Sequence, residues 1–217
     1  MSEKIAPNTL PWAKLSLKGL ALFLANILLI AVVTALGPLE QTLGANIRLI
    51  YLHGAWVWTA KVVFGLAALA GLAGLLFPHR RLRWIDWSLA LGRAGLLYWL
   101  VYLPLALLVM WVNWGGFFFD EPRWRVSLML GVVAVMLQVA LYLLDSPRIA
   151  SAANLLFGAT LWIMLGTAAV EMHPVSPIFV SDATGIQVYF LALTGLVMLL
   201  AAQVAVWMRA AFRKQGG

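Results

Sequence analysis

Cysteine is absent from all 217 positions, which excludes disulfides, thiolate metal ligands and thiol redox chemistry. Charge is scarce: only 11% of the residues are Asp, Glu, Lys or Arg, against about 25% in soluble domains. Acids are scarcer still, eight against fifteen Lys and Arg, so no dense carboxylate cluster is available for hydrolytic work. There is also no glycine-rich phosphate loop and no positioned nucleophile–base pair. An enzyme is not expected. No internal repeat, low-complexity tract or long linker divides the chain, so residues 1–217 read as a single membrane domain.

What is abundant is apolar surface. The chain is 64% hydrophobic with a mean hydropathy of +0.94, far from the roughly 45–50% apolar content of soluble domains. Six apolar runs are predicted to be helices, at about 20–37, 49–77, 85–111, 126–144, 149–172 and 185–208. The fold expected is therefore an all-α integral membrane protein, a six-transmembrane-helix bundle. The first run follows a basic stretch, as a signal peptide would. It is longer than a signal core of about 7–15 residues, and Pro38 is badly placed for cleavage, so it is read as a retained helix.

The net charge of +7 raises nucleic acid as a partner, but the basic residues lie at helix ends, where they orient a membrane protein. With a cytoplasmic N-terminus, the inner segments hold Lys4, Lys14, Lys18, Arg80, Arg81, Arg83, Arg148, Arg209, Arg213 and Lys214. The outer segments hold Arg48, Arg123 and Arg125, so the bias is ten against three. Both termini are thus expected in the cytoplasm and the protein in the inner (plasma) membrane.

This orientation sorts the three histidines. His79 falls in the basic inner turn Pro78–Arg81, where it reads as one more polar residue. His53 and His173 both fall at the outer face. The run 49–77 has 29 residues, about 43 Å of helix. A hydrocarbon core is about 30 Å thick, so His53 should reach the interface. Two histidines on separate elements are the minimum for bis-imidazole coordination of haem iron, and zinc or copper also take imidazole. Zinc would need further ligands, for which Glu40, Asp120, Glu121, Glu171 and Asp182 are candidates. The bland alternative is a pair of interfacial histidines wetted by headgroups and water.

Between them lies an outer aromatic loop, 112–125, whose surroundings pack Trp111, Trp114, Trp124 and Phe117-Phe118-Phe119 into a short stretch broken by Gly115-Gly116 and closed by Pro122. One reading is an aromatic belt at the bilayer surface. The other is a platform for a flat apolar ligand, with Arg48 and Arg123 available to its carboxylates. Deeper in the second helix, Lys61 lies eight residues beyond His53. A basic group at such depth costs about 2.5–3.5 kcal/mol on insertion scales. It is expected to snorkel, to face the bundle interior, or to meet an acid of a partner.

These residues resemble a known family. The segment Asn46-Ile47-Arg48-Leu49-Ile50-Tyr51-Leu52-His53 and the turn Leu144-Asp145-Ser146-Pro147-Arg148-Ile149-Ala150 are similar to those of the six-helix haem-handling proteins of cytochrome c maturation, the CcmC type. The resemblance runs from about Asn46 to the end of the fifth helix. The family's outer loop has the form W-G-x-W-W-x-W-D-x-R. Here Trp114, Gly115 and Arg123 fit one register, Phe117 and Phe118 stand for the tryptophan pair, and Asp120 and Glu121 stand for Trp-Asp. A one-residue slip would instead match Phe119-Asp120 to Trp-Asp. Phenylalanine keeps the flat face and loses the indole N–H.

The resemblance implies that His53 and His173 are axial ligands of a non-covalent haem b. Arg48 and Arg123 would be propionate partners, and Trp114, Phe117 and Phe118 the platform. It implies that haem is held at the outer face and handed on during cytochrome c biogenesis. The partners implied are the lipid bilayer, ABC-type transporter subunits and a periplasmic haem chaperone, with no nucleic acid. A diverged non-haem structural subunit and a bis-His electron-transfer cytochrome remain the alternatives.

Overall fold

The computed structural model describes residues 16–77, 79, 81–144, 146–169, 171, 178–179 and 182–212. Within them lie six α-helices: α1 Leu17–Ala35, α2 Ile47–Leu76, α3 Arg81–Trp114, α4 Pro122–Leu144, α5 Pro147–Thr167 and α6 Thr184–Phe212. All six are long and apolar enough to cross a membrane, with best-window mean hydropathies from 1.6 to 2.3.

The helix ends follow local chemistry. The Ser16 hydroxyl caps α1 by accepting the Gly19 N–H at 3.1 Å. The third helix runs three residues past the expected Trp111, to Trp114, and stops at Gly115. That glycine has φ 74° and donates back to the Trp111 carbonyl at 3.0 Å, a left-handed stop that costs a residue with Cβ more. The fourth begins four residues earlier than expected because Pro122 occupies its first turn, where no N–H is needed. Glu121 caps that turn, its Oε2 accepting the Trp124 N–H at 2.6 Å. The expected loop of 112–125 is therefore only 115–121, and its tryptophans belong to helices. The fifth helix ends at Thr167, short of the expected 172.

At the centre stands α2, packed against α3, α5 and α6, while α1 lies at the edge, mainly on α6. Small residues make this possible. A Cβ at Gly71 would lie 2.5 Å from the Ser151 carbonyl oxygen, and one at Gly158 would lie 2.6 Å from the Ala68 Cβ. In an apolar solvent helices are drawn together by such close backbone approach rather than by apolar burial. Polar links add to it: Asn154 Nδ2 donates to the Ser88 carbonyl and hydroxyl at 3.1 and 3.0 Å, and the Ser88 hydroxyl donates to the Ala67 carbonyl at 2.9 Å. The outward faces, such as Leu22, Leu69, Val132 and Ile163, are exposed leucine, valine and isoleucine, as lipid contact requires.

Candidate functional site

Residues of the α1–α2 and α3–α4 connections, with Ile178 and Phe179 ahead of α6, line a cavity of about 580 Å³ at one end of the bundle, within the range of roughly 300–1,000 Å³ of cofactor and small-molecule sites. One stripe of α2 builds its longest wall. Ile47, Ile50, His53, Gly54, Val57 and Lys61 line it, at the three- and four-residue spacing that stacks side chains on one helical face. Across from them are Tyr102, Met110 and Trp114 of α3, Arg123, Trp124 and Ser127 of α4, and Phe179 and Phe190 on the α6 side.

His53 is half-buried in the α2 wall, its ring centroid 5.2 Å from that of Tyr102. The Tyr102 hydroxyl is in turn 3.0 Å from the Ser127 hydroxyl, and Trp99 Nε1 donates to the Ser127 carbonyl at 2.9 Å. The tyrosine wall beside the histidine is thus pinned to α4. Gly54 matters by its lack of a side chain, since a Cβ there would be 3.0 Å from the Phe190 ring.

Lys61 lies eight residues deeper on α2, about 12 Å along the axis. Its Nζ is 4.3 Å from the ring centroid of Trp58 and 4.5 Å from that of Trp162, a cation held between two π faces. Trp162 is locked in place by its Nε1–H, which donates to the Lys61 carbonyl at 3.1 Å. Lys61 is half-buried and borders the cavity, its ammonium turned back toward the outer end over Trp58. Among the described residues no carboxylate lies within ion-pairing reach of Lys61 or Arg123, and the Arg123 Nε is buried without a hydrogen-bond acceptor.

The two acids at the cavity are engaged by backbone instead. Glu121 caps α4 as above, and its Oε1 is buried with no donor among the described residues. Glu40 Oε2 accepts the Leu43 and Thr42 N–H groups at 2.8 and 2.9 Å, and these bonds hold its carboxyl below the ordinary 4.5. The rim carboxylate thereby fixes the turn that leads into α2.

Three of the seven expected site residues, His53, Trp114 and Arg123, share this cavity. Arg48 does not line it; its Nε donates to the Gly37 carbonyl at 2.9 Å and ties α1 to α2. Phe117 and Phe118 also lie outside it. Phe117 stacks between Trp111 and Phe119, at centroid distances of 5.4 and 6.0 Å, in an exposed aromatic ladder, and Phe118 is exposed. His173 lies outside the described residues. His79 is exposed in the α2–α3 connection, away from the cavity. Among the described residues no three His, Asp or Glu side chains gather as a metal would require.

The aromatic walls that the sequence did not single out are Trp58, Tyr102, Phe179 and Phe190. For Trp58 a signal exists, since it precedes Lys61 by one helical turn on the face that carries Gly54. For Tyr102 and Phe190, deep in uniformly apolar runs, there is none. No family model, no curated protein and no solved structure matches the chain.

Proposed function

We propose that this chain is a six-span membrane protein that holds haem non-covalently at its outer end and hands it on, without making or breaking bonds itself. The observation that carries the proposal is the cavity: it puts an imidazole, a tryptophan face and a guanidinium, His53, Trp114 and Arg123, around one apolar space. A flat apolar body with a bindable metal and a carboxylate edge uses all three. The ten-to-three distribution of basic residues supports cytoplasmic termini, and hence a periplasmic or outer position for the cavity, with the plasma membrane as the location. The CcmC-like segment ending in His53 supports cytochrome c biogenesis as the setting, with ABC-type transporter subunits and a haem chaperone as partners.

In this reading His53 would hold the iron through an imidazole nitrogen, with His173, expected at the same face from the sequence, as the second ligand. Haem, when bound, would supply an iron that accepts imidazole nitrogen. Tyr102, held by Ser127, limits the rotation of the imidazole. Trp114, Trp58 and Phe179 present flat faces, and Arg123 offers its guanidinium to a carboxylate. A mostly apolar lining, which offers few hydrogen-bonding groups, suits release to an acceptor better than permanent retention.

The test is the visible spectrum of the detergent-purified protein, as isolated and after addition of haem, beside His53→Ala and His173→Ala. A Soret band that shifts or disappears in each variant is expected. Absence of binding by the wild type after reconstitution overturns the haem reading, and an unchanged band in both variants overturns the ligand assignment.

A further inference from the structure

The geometry points to Lys61 as the anion-binding residue of this cavity: it takes a carboxylate of the bound ligand, with Arg123 as the second cation. In its haem form the inference rests on the proposed function above; the ligand chemistry it names, an amphipathic carboxylate, is shared by haem propionates and by lipid-derived acids.

Three observations lead there. First, Lys61 is half-buried and borders the cavity. Its ammonium lies at the cavity wall between the faces of Trp58 and Trp162, at 4.3 and 4.5 Å. Two tryptophan faces meet the ammonium itself, and its N–H donors have no anionic acceptor, since no carboxylate of the described residues is within reach. Second, Arg123 shares the cavity and has a buried Nε with no acceptor among the described residues. Two cations in one apolar chamber repel each other, and a ligand carboxylate between them removes both the repulsion and the unmet hydrogen bonds. Third, the acids at the cavity do not neutralise them, because Glu40 and Glu121 are turned to the backbone N–H groups of Leu43, Thr42 and Trp124.

The Lys61 ammonium is turned back over Trp58, one helical turn nearer His53, so a ligand that meets the imidazole can present a carboxylate to the two cations of the same cavity. Arg48, tied to Gly37, is not needed for this.

The experiment compares wild type, Lys61→Met and Lys61→Arg in detergent, each checked for monodispersity and melting midpoint. Methionine keeps a flexible stem against the two tryptophans. The probes are haem, haem dimethyl ester, cis-parinaric acid and its methyl ester. Wild type is expected to prefer each acid over its ester, Lys61→Met to lose roughly ten- to a hundredfold in acid affinity with ester affinity unchanged, and Lys61→Arg to regain most of it. Haem binding that is equal in wild type and Lys61→Met overturns the role of Lys61 and leaves the haem reading intact. Acid-selective binding of parinaric acid without any haem binding overturns the haem reading and sustains Lys61 as the receptor of a lipid acid. Failure of every probe to bind wild type overturns both.

Discussion

Replacing Gly71 by alanine tests whether the central contact of the bundle is as close as it stands here. Gly71 lies on α2, and a Cβ there would meet the Ser151 carbonyl oxygen at 2.5 Å, the Ser88 hydroxyl at 3.2 Å and the Ser151 carbonyl carbon at 3.3 Å. A contact below 3.0 Å to helix backbone cannot be relieved by a rotamer change, so α5 must move away from α2. Overpacking of this kind costs about 1–3 kcal/mol, and a backbone obstacle argues for the upper half of that range. Alanine returns about 0.8–1 kcal/mol of helix propensity over glycine. The net expectation is a loss of about 1–2 kcal/mol. Gly195→Ala on α6 is the matched control, because no atom lies within 4 Å of its Cβ, and only the propensity gain remains. The two variants make the same chemical change and are expected to move stability in opposite directions. Equilibrium unfolding by sodium dodecyl sulfate in mixed micelles, followed by tryptophan fluorescence and far-ultraviolet circular dichroism, measures both. Gly71→Ala as stable as Gly195→Ala would refute the close α2–α5 approach, and with it the placement of His53 and Lys61 on a rigid central helix.

Glu40 gives a pH-dependent prediction. Its folded carboxyl is held below its ordinary value, first by the Leu43 N–H, so the stabilisation it gives the α1–α2 turn is present above that value and is lost as pH falls through the folded value. The difference in melting midpoint between wild type and Glu40→Gln is expected to be constant from about pH 8 to 6 and to shrink as pH falls below the ordinary carboxylate range; a difference that does not shrink in acid sinks the assignment. Sidedness can be read by cysteine labelling, since the chain has no cysteine of its own. With the proposed orientation, Thr42→Cys and Asp120→Cys should react with a membrane-impermeant maleimide added outside intact cells, and His79→Cys only after lysis. The reverse pattern inverts the topology.

The class of fold was legible in the composition because an apolar run long enough to cross a bilayer is a one-dimensional property. Six runs stand in the sequence and six helices among the described residues. The ends were less legible. Pro122 reads as a terminator in a sequence and acts as a helix start, because its missing N–H is needed only further along the helix. The expected aromatic loop 112–125 shrank for the same reason, since Gly115 and Pro122 bring α3 and α4 closer together along the chain than apolar content implied.

The site divides in a similar way. His53, Trp114 and Arg123 were singled out by residue type, and topology alone brings the ends of α2, α3 and α4 together. Arg48 was chosen for its charge near His53, but at about 100° per residue the intervening helix carries it roughly 140° around the axis from the histidine, and its guanidinium faces the end of α1. Phe117 and Phe118 were chosen for their number, and three consecutive aromatics in a short loop cannot all point inward. Phe117 stacks on Trp111 instead, and Phe118 faces outward. Sequence by itself determined six helices, the sorting of basic residues between the two ends and a histidine at a helix mouth, all set by local composition. Only the tertiary structure decided that Lys61 joins that histidine in one cavity. One of the two rings that hold it, Trp162, lies 101 residues away in the chain, and the two meet only where small residues let α2 and α5 touch.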